Sequence, residues 1–338
     1  MRPMKCFPIF WLVLSALSGC QPPPPIDAPP VQITLPAGAT FGVIVDTLTT
    51  RGLVGEPRIF RIYARMKGAD TKIRAGAYSV PAGTSWADLL DLLTSGRVLT
   101  ETLTIPEGFR LTQIAPRVGE ITGLAPDSVL ALLLADSMDF RWGVPGPGLE
   151  GYLFPESYWV ARGAPLDSVV GAMIRQYREF WTPERVAQRE ALGMTEREVV
   201  TLASIVQAEA RLESEMPVIA SVYHNRLVRG QLLQADPTVL YALGGYRTRL
   251  LYAAMDSVAD HPYNTYTQPG LPPGPIGAPG ERALEATLHP AQTDFYYFVA
   301  RTDGTHVFSR TLGEHNRNVA LLRPEWERYR RERGQGQG

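Results

Sequence analysis

The sequence predicts an α+β protein in which a small region of strand-turn-helix units precedes a longer, helix-rich part. Three observations carry this. Near the N-terminal end, three short stretches of alternating apolar and polar residues each stop at Pro-x-Gly and are followed by apolar residues at helical spacing. From Ser128 onward the apolar spacing is mostly helical. The chain has 338 residues, 45% of them apolar and 20% charged, enough for two packed domains of ~100–200 residues each and too apolar for global disorder.

The first element is not part of the fold. Arg2 and Lys5 precede an apolar run from Phe7 to Leu17, which closes on Leu17-Ser-Gly-Cys20. A charged start, a short apolar stretch and small residues at its end make an export signal, expected over residues 1–19. The run is about half of the ~20 residues that a bilayer-spanning helix needs, so a polytopic membrane protein is not expected. Leu17-Ser-Gly-Cys20 resembles a bacterial lipobox, which implies cleavage before Cys20 and its lipidation. Of the two cysteines, cleavage removes Cys6; neither a disulfide framework nor cysteine-ligated zinc is then expected. Gln21–Pro30 holds six prolines, and such a stretch is extended rather than packed, so residues 20–30 read as a lipidated tether. Thirty-three basic residues against 34 acidic give a net charge of −1. With no overall basic field to condense phosphates, nucleic acid is not an expected partner.

The three strand-turn-helix units are Ile33-Thr-Leu-Pro-Ala-Gly38, Tyr78-Ser-Val-Pro-Ala-Gly83 and Leu103-Thr-Ile-Pro-Glu-Gly108. Helical spacing follows each: Val43, Ile44 and Leu48; Trp86, Leu89, Leu90 and Leu93; Leu111, Ile114, Ala115 and Val118. Three similar units in close succession indicate a small repeated α+β region. Further helices are marked by Val129, Leu132 and Leu133, then by Val169, Val170, Met173, Ile174 and Tyr177. Gly146-Pro-Gly148-Leu-Glu-Gly151 spells a dinucleotide fingerprint, but no strand precedes it and Pro155 follows where a helix would begin. The five histidines, at 224, 261, 289, 306 and 315, have no metal-ligand spacing, and neither G-x-S-x-G nor a Walker motif occurs. No metal and no cofactor is expected.

One carboxylate stands out. Thr195-Glu-Arg-Glu198 is a capping box that starts a helix. Around a helical wheel Val199, Leu202, Ala203, Ile205, Val206, Ala210 and Leu212 share one arc, and Glu209 falls inside it. Thr201, Ser204, Gln207, Ala208 and Arg211 take the opposite, solvent side of a half-buried helix. Burying a carboxylate raises its pKa and turns it into a proton donor near neutral pH, the chemistry of a glycosidic acid. Helix geometry leaves a second reading equally open, in which Glu209 pairs with a core arginine such as Arg226. Glu213 is the rival carboxylate if the helix continues that far. Asp236-Pro-Thr, Pro262-Tyr-Asn-Thr-Tyr266 and Leu271-Pro-Pro-Gly-Pro-Ile276 are rigid turns whose rings and amides suit sugar faces and hydroxyls.

Several of these segments carry a family resemblance. Leu202-Ala-Ser-Ile-Val-Gln-Ala-Glu209, Ala220-Ser-Val-Tyr-His-Asn-Arg-Leu227, Leu233-Gln-Ala-Asp-Pro-Thr238, Pro262–Tyr266 and Gly270-Leu-Pro-Pro-Gly-Pro-Ile276 occur in this order. Together with Leu149-Glu-Gly-Tyr-Leu-Phe-Pro-Glu-Ser-Tyr158 and His289–Val299 they resemble the endolytic murein transglycosylases, the YceG-like family. The resemblance implies an enzyme that cuts peptidoglycan glycan strands internally, beside the membrane where they are made, and so terminates their growth. It implies Glu209 as the catalytic residue, cleaving between N-acetylmuramic acid and N-acetylglucosamine with formation of 1,6-anhydromuramic ends. Asn225, Gln234, Asp236, Tyr263, Asn264 and Tyr266 would bind the substrate. It also implies a LysM-like glycan-binding region over residues 31–124 and a catalytic domain over 125–330.

Two departures qualify it. The family commonly has Glu-x-Glu where this chain has Gln207-Ala-Glu209, which leaves Glu209 as the one candidate of that pair; Glu213 lies outside the pattern, and Glu215 is expected to hold the following loop. Many members carry one transmembrane helix, whereas this chain carries the lipid signal at Cys20. The expected location is the cell envelope, with the inner (cytoplasmic) membrane favoured. Expected partners are glycan strands, the membrane through the anchor, and peptidoglycan synthases. A lipid-anchored peptidoglycan-binding protein without activity and a lysozyme-type hydrolase are the alternatives. Hydrolysis usually needs a second carboxylate ~5–10 Å from the acid, and the motifs after Glu209 offer mainly amides, hydroxyls and rings.

Overall fold

In the computed structural model the described residues are 29–36, 38–244 and 255–335; the expected signal, Cys20 and most of the proline-rich tether lie outside them. The chain forms two compact units, one reaching Thr100 and including Ala161–Ala164, the other holding Glu101–Val160 and the chain from Pro165 onward.

The first unit runs β1 (Val31–Leu35), α1 (Phe41–Thr50), α2 (Pro57–Met66), β2 (Gly76–Val80) and α3 (Trp86–Ser95). Strands β1 and β2 pair antiparallel, with Ile33 opposite Tyr78. Each expected turn hands over to a capped helix: Thr40 accepts from Val43 N–H at the start of α1, and Ser85 from Asp88 N–H at the start of α3. Pro57 opens α2, where its missing N–H costs nothing. Ile33, Leu35, Tyr78 and Val80 from the sheet bury against Ile44 and Leu48 of α1, Phe60 and Ala64 of α2 and Leu89 and Leu93 of α3.

The second unit begins with β3 (Thr100–Thr104), α4 (Leu111–Thr122), α5 (Pro126–Leu134), α6 (Asp136–Trp142) and β4 (Ser157–Ala161). The third Pro-x-Gly unit is therefore a strand-turn-helix as expected. Its strand pairs with β4, not with β1 and β2, and Ile105 N–H donates to the Glu156 carbonyl at 2.9 Å. By contacts the chain divides near Thr100.

Next come α7 (Leu166–Phe180), α8 (Pro183–Ala191), α9 (Glu196–Glu209), a single 3₁₀ turn (Glu213–Glu215), α10 (Met216–Val228), α11 (Asp236–Ala242) and α12 (Glu281–Leu288). A hairpin of β5 (Tyr297–Ala300) and β6 (His306–Ser309), with Phe298 opposite Phe308, leads into α13 (Leu312–Gln335). The capping box at Thr195 and Glu198 is present.

Helix α9 is the centre of this unit, and from Val199 to Val206 it is buried all round instead of half-buried, although Ala208 of the expected solvent side is exposed. Thr201 and Ser204, expected on a solvent face, are 1% and 3% exposed. The reason is the covering of that side by α12 and the loop before it. Ser204 Oγ accepts from Ile276 N–H at 3.0 Å, and Gln207 Oε1 accepts from Gly280 N–H, also at 3.0 Å. The same loop exchanges two backbone bonds with the third Pro-x-Gly turn, Gly108 N–H to Ala278 O and Ala278 N–H to Phe109 O. A Cβ on Gly277 would sit 2.7 Å from the Gly108 carbonyl oxygen, so only glycine admits this approach. Among the described residues no helix is long and apolar enough to cross a membrane.

Candidate active site

Helix α9 stops at Glu209, because Ala210 leaves it in an extended conformation at ψ 128°. The wheel therefore does not extend to Leu212 and Glu213. Glu213 lies in the 3₁₀ turn, exposed, with Arg282 3.7 Å away. Glu209 is left at the helix end, half-buried, in the wall of a 310 Å³ cavity.

Tyr223 of α10 donates its hydroxyl to Glu209 Oε1 at 2.9 Å. Burial pushes the Glu209 carboxyl up to about 7; the Tyr223 hydrogen bond opposes this, the nearby Asp236 charge adds to it, and the Arg226 charge opposes it. Arg226 lines the same cavity, but its guanidinium donates to the carbonyls of Tyr296 and Leu233, each at 2.6 Å. Among the described residues no ion pair joins it to Glu209, so the pairing that the sequence left open does not form. What remains is a carboxyl that holds its proton to near neutral pH beside an open space.

Three of the expected substrate-binding residues line that space with Glu209: Gln234, Asp236 and Tyr266. Gln234 has φ 48°, a left-handed conformation unusual for a residue with a Cβ. It is held there by its N–H to the Thr265 carbonyl, while Ala235 N–H reaches Thr265 Oγ1. Asp236 opens α11, and its Oδ1 accepts from Tyr266 OH at 2.6 Å.

The other three do not line the cavity. Asn225 turns its amide to the carbonyls of Thr293 and Phe295, and Asn264, 1% exposed, ties its own turn to Val258 and Tyr266. Both side chains are taken up in holding backbone. Tyr263 packs on Tyr241 at 4.8 Å between ring centres. Glu215 grips a more distant element than the loop that follows it. Its two oxygens take His306 N–H at 3.0 Å and His306 Nδ1 at 2.7 Å, fixing the start of β6.

Sequence reasoning did not single out Tyr223, Tyr297, His306 or His315, which complete the cavity wall from α10, β5, β6 and α13. Tyr297 and His315 stack at 5.5 Å. It also passed over Glu150, 7% exposed, whose pKa burial raises to about 7 against hydrogen bonds and the Arg110 charge. Glu150 accepts from Leu111 N–H at the first residue of α4 and lies 3.4 Å from Tyr241 OH near the end of α11. A lone carboxylate within the apolar stretch Leu149–Phe154 was its only signal. Among the described residues no group of three His, Cys, Asp or Glu side chains could hold a metal ion.

Fold and site together define a helix-rich α+β protein that presents one proton-retaining carboxyl at a helix end, in a cleft lined by tyrosine, histidine and carboxamide groups. The YceG-like family model matches residues 33–321, and the chain belongs to that family. A Bacillus subtilis protein named endolytic murein transglycosylase is 34% identical over 307 residues, covering 85% of this chain and 83% of its own length. A Streptococcus pneumoniae protein of the same name is 32% identical over 329 residues; the match covers 88% of this chain and 59% of that relative. The crystal structure of a yceG-like protein from Listeria monocytogenes superposes with a TM-score of 0.59 at 30% identity, covering 85% of this chain and 98% of its own.

Proposed function

We propose that the protein is an endolytic murein transglycosylase, with Glu209 as its acid and base. The observation that carries this is the Glu209 carboxyl itself, held protonated to about pH 7 by burial and oriented by Tyr223 within a cavity. Glu209 gives its proton to the glycosidic oxygen between N-acetylmuramic acid and N-acetylglucosamine, and the bond from the muramoyl C1 to that oxygen breaks. The resulting carboxylate then takes the proton of the muramoyl 6-hydroxyl while that oxygen bonds to C1, closing the 1,6-anhydro ring and restoring the acid. An intramolecular hydroxyl has an effective concentration far above that of an external reactant. Asp236, the other carboxylate of the cavity, is engaged by Tyr266 at 2.6 Å, which supports ring closure over activation of water. Gln234, Asp236 and Tyr266 position the sugars. Digestion of uncrosslinked strands in H₂¹⁸O tests the reaction. Muramoyl ends unlabelled and lighter by one water are expected; ¹⁸O at those ends would make the protein a hydrolase, with Asp236 as its second carboxylate.

The same reading extends to the rest of the chain. The β1-α1-α2-β2 unit is a LysM-type glycan-binding region, Cys20 is the lipidated N-terminus, and the enzyme works at the inner membrane beside peptidoglycan synthases. Undiminished affinity for glycan after removal of residues 29–100, or an unmodified mature chain by intact mass, would overturn the corresponding part.

A further inference from the structure

We propose that α2 is a membrane-contact element, laying the first unit on the surface of an anionic lipid bilayer. Helix α2 buries Phe60 and Ala64 in the core. It has a second apolar stripe that no part of the unit covers: Ile59, Ile62 and Met66 are 56%, 61% and 81% exposed. Spaced three and four residues apart, these three share one narrow face. Arg58, Arg61 and Arg65 run alongside that face, and Lys67 follows the helix.

The charge is local. From Arg51 to Arg74 inclusive there are seven basic residues and two acidic ones, in a chain whose net charge is −1. Asp46 offsets Arg61 at 3.0 Å; among the described residues no acidic side chain pairs with Arg58 or Arg65. An apolar stripe flanked by arginines matches the boundary between phosphate headgroups and acyl chains, where both halves of the pattern are satisfied at once. A second copy of the chain would bring the arginines against one another, and a sugar face is better met by flat rings and carboxamides than by isoleucine and methionine tips.

The place of the unit in the chain fits the same partner. Ten residues separate Cys20 from Val31, a reach of at most ~40 Å even when fully extended. An anchor at Cys20 would hold the start of β1 within that distance of a bilayer, and so bring the first unit within reach of it. The inference does not depend on the catalytic reading.

Flotation with lipid vesicles tests it, using the chain from Gln21 onward, which keeps every described element. Binding to vesicles of phosphatidylglycerol and phosphatidylcholine, absent with phosphatidylcholine alone and released by salt, is the expected result. Arg58→Gln combined with Arg65→Gln should weaken it ~25-fold, at roughly fivefold per arginine near the surface, and Ile62→Asn combined with Met66→Gln should weaken it independently. All four residues are exposed, so both double variants should unfold at the parent's temperature and any lost binding is not lost folding. Equal binding to both kinds of vesicle, or undiminished binding by the arginine variant, would overturn the proposal. So would a dimer in sedimentation that the Ile62→Asn, Met66→Gln variant dissolves, since the stripe would then face a second copy.

Discussion

Replacing Glu209 by glutamine should abolish cleavage and, relative to the parent, stabilise the protein above neutral pH. Burial raises the carboxyl from 4.5 to about 7, so the folded protein holds that proton more tightly than the unfolded chain does. Stability from such a raised pKa is fully present below about pH 4.5 and is lost as the pH climbs through about 7. At about 1.4 kcal/mol per unit, the displacement corresponds to about 3 kcal/mol. Glutamine has the same shape, accepts the same bond from Tyr223 and carries no charge at any pH. The difference in unfolding free energy between parent and variant should therefore move by about 3 kcal/mol against the parent between pH 4 and 8. Glu150, raised for the same reason, is common to both proteins and cancels. Urea unfolding across this range measures the difference, with the two units fitted as separate transitions. Cleavage of uncrosslinked strands by the same samples should fall by ~10²–10⁴ or more, since in the proposed mechanism one group serves as acid and base. A stability difference that does not change with pH would show a carboxyl titrating as in water and would refute the argument, as would cleavage at the parental rate.

Tyr223→Phe removes a hydrogen bond to the charged form of Glu209, so its pKa should rise further; the alkaline limb of the pH–rate profile should move to higher pH, and a downward move would contradict the assignment. Glu213→Gln breaks only an exposed contact with Arg282, and assays of both melting and cleavage should register no change. Glu215→Ala leaves His306 N–H and Nδ1 without their acceptor at the edge of the cavity. It should cost ~1–3 kcal/mol in thermal or urea unfolding and raise KM more than it lowers kcat, because β6 borders the cavity in which the sugar is proposed to bind.

What could be read from the sequence, and what could not, follows from how local each feature is. The three Pro-x-Gly units and the Thr195 capping box depend on residues a few positions apart, and each produced its strand, turn or helix. The end of α9 was invisible: Ala210-Arg211-Leu212 contains no glycine or proline, and Leu212 continues the apolar pattern although the chain has already turned away. Thr201 and Ser204 look like surface residues until α12 and the Ile276–Gly280 loop close over them. Of the residues that line the cavity, Glu209, Gln234, Asp236 and Tyr266 were legible because they lie in short motifs. Tyr223 lay in a motif without being distinguished, and Tyr297, His306 and His315 come from the distant hairpin and last helix. Asn225 and Asn264 also lie in such motifs, but they do not line the cavity. An amide in a polar motif suggests a ligand, yet here its neighbours' carbonyls claim it first.

That α9 ends at Glu209 also matters for how robust the acid is. The last turn of a helix carries the negative end of its macrodipole, formed by carbonyls without intrahelical partners, and a carboxylate there is disfavoured by ~0.3–1 kcal/mol or more where water is scarce. The proton of Glu209 is thus retained partly by the peptide backbone, which no side-chain substitution removes. Changes at Tyr223, Asp236 or Gln207 can tune the acid, but this backbone contribution, smaller than that of burial, persists as long as fourteen residues stay helical. A protein built this way can vary the wall of its cleft widely, and with it the strands it accepts, before it loses the proton its chemistry needs.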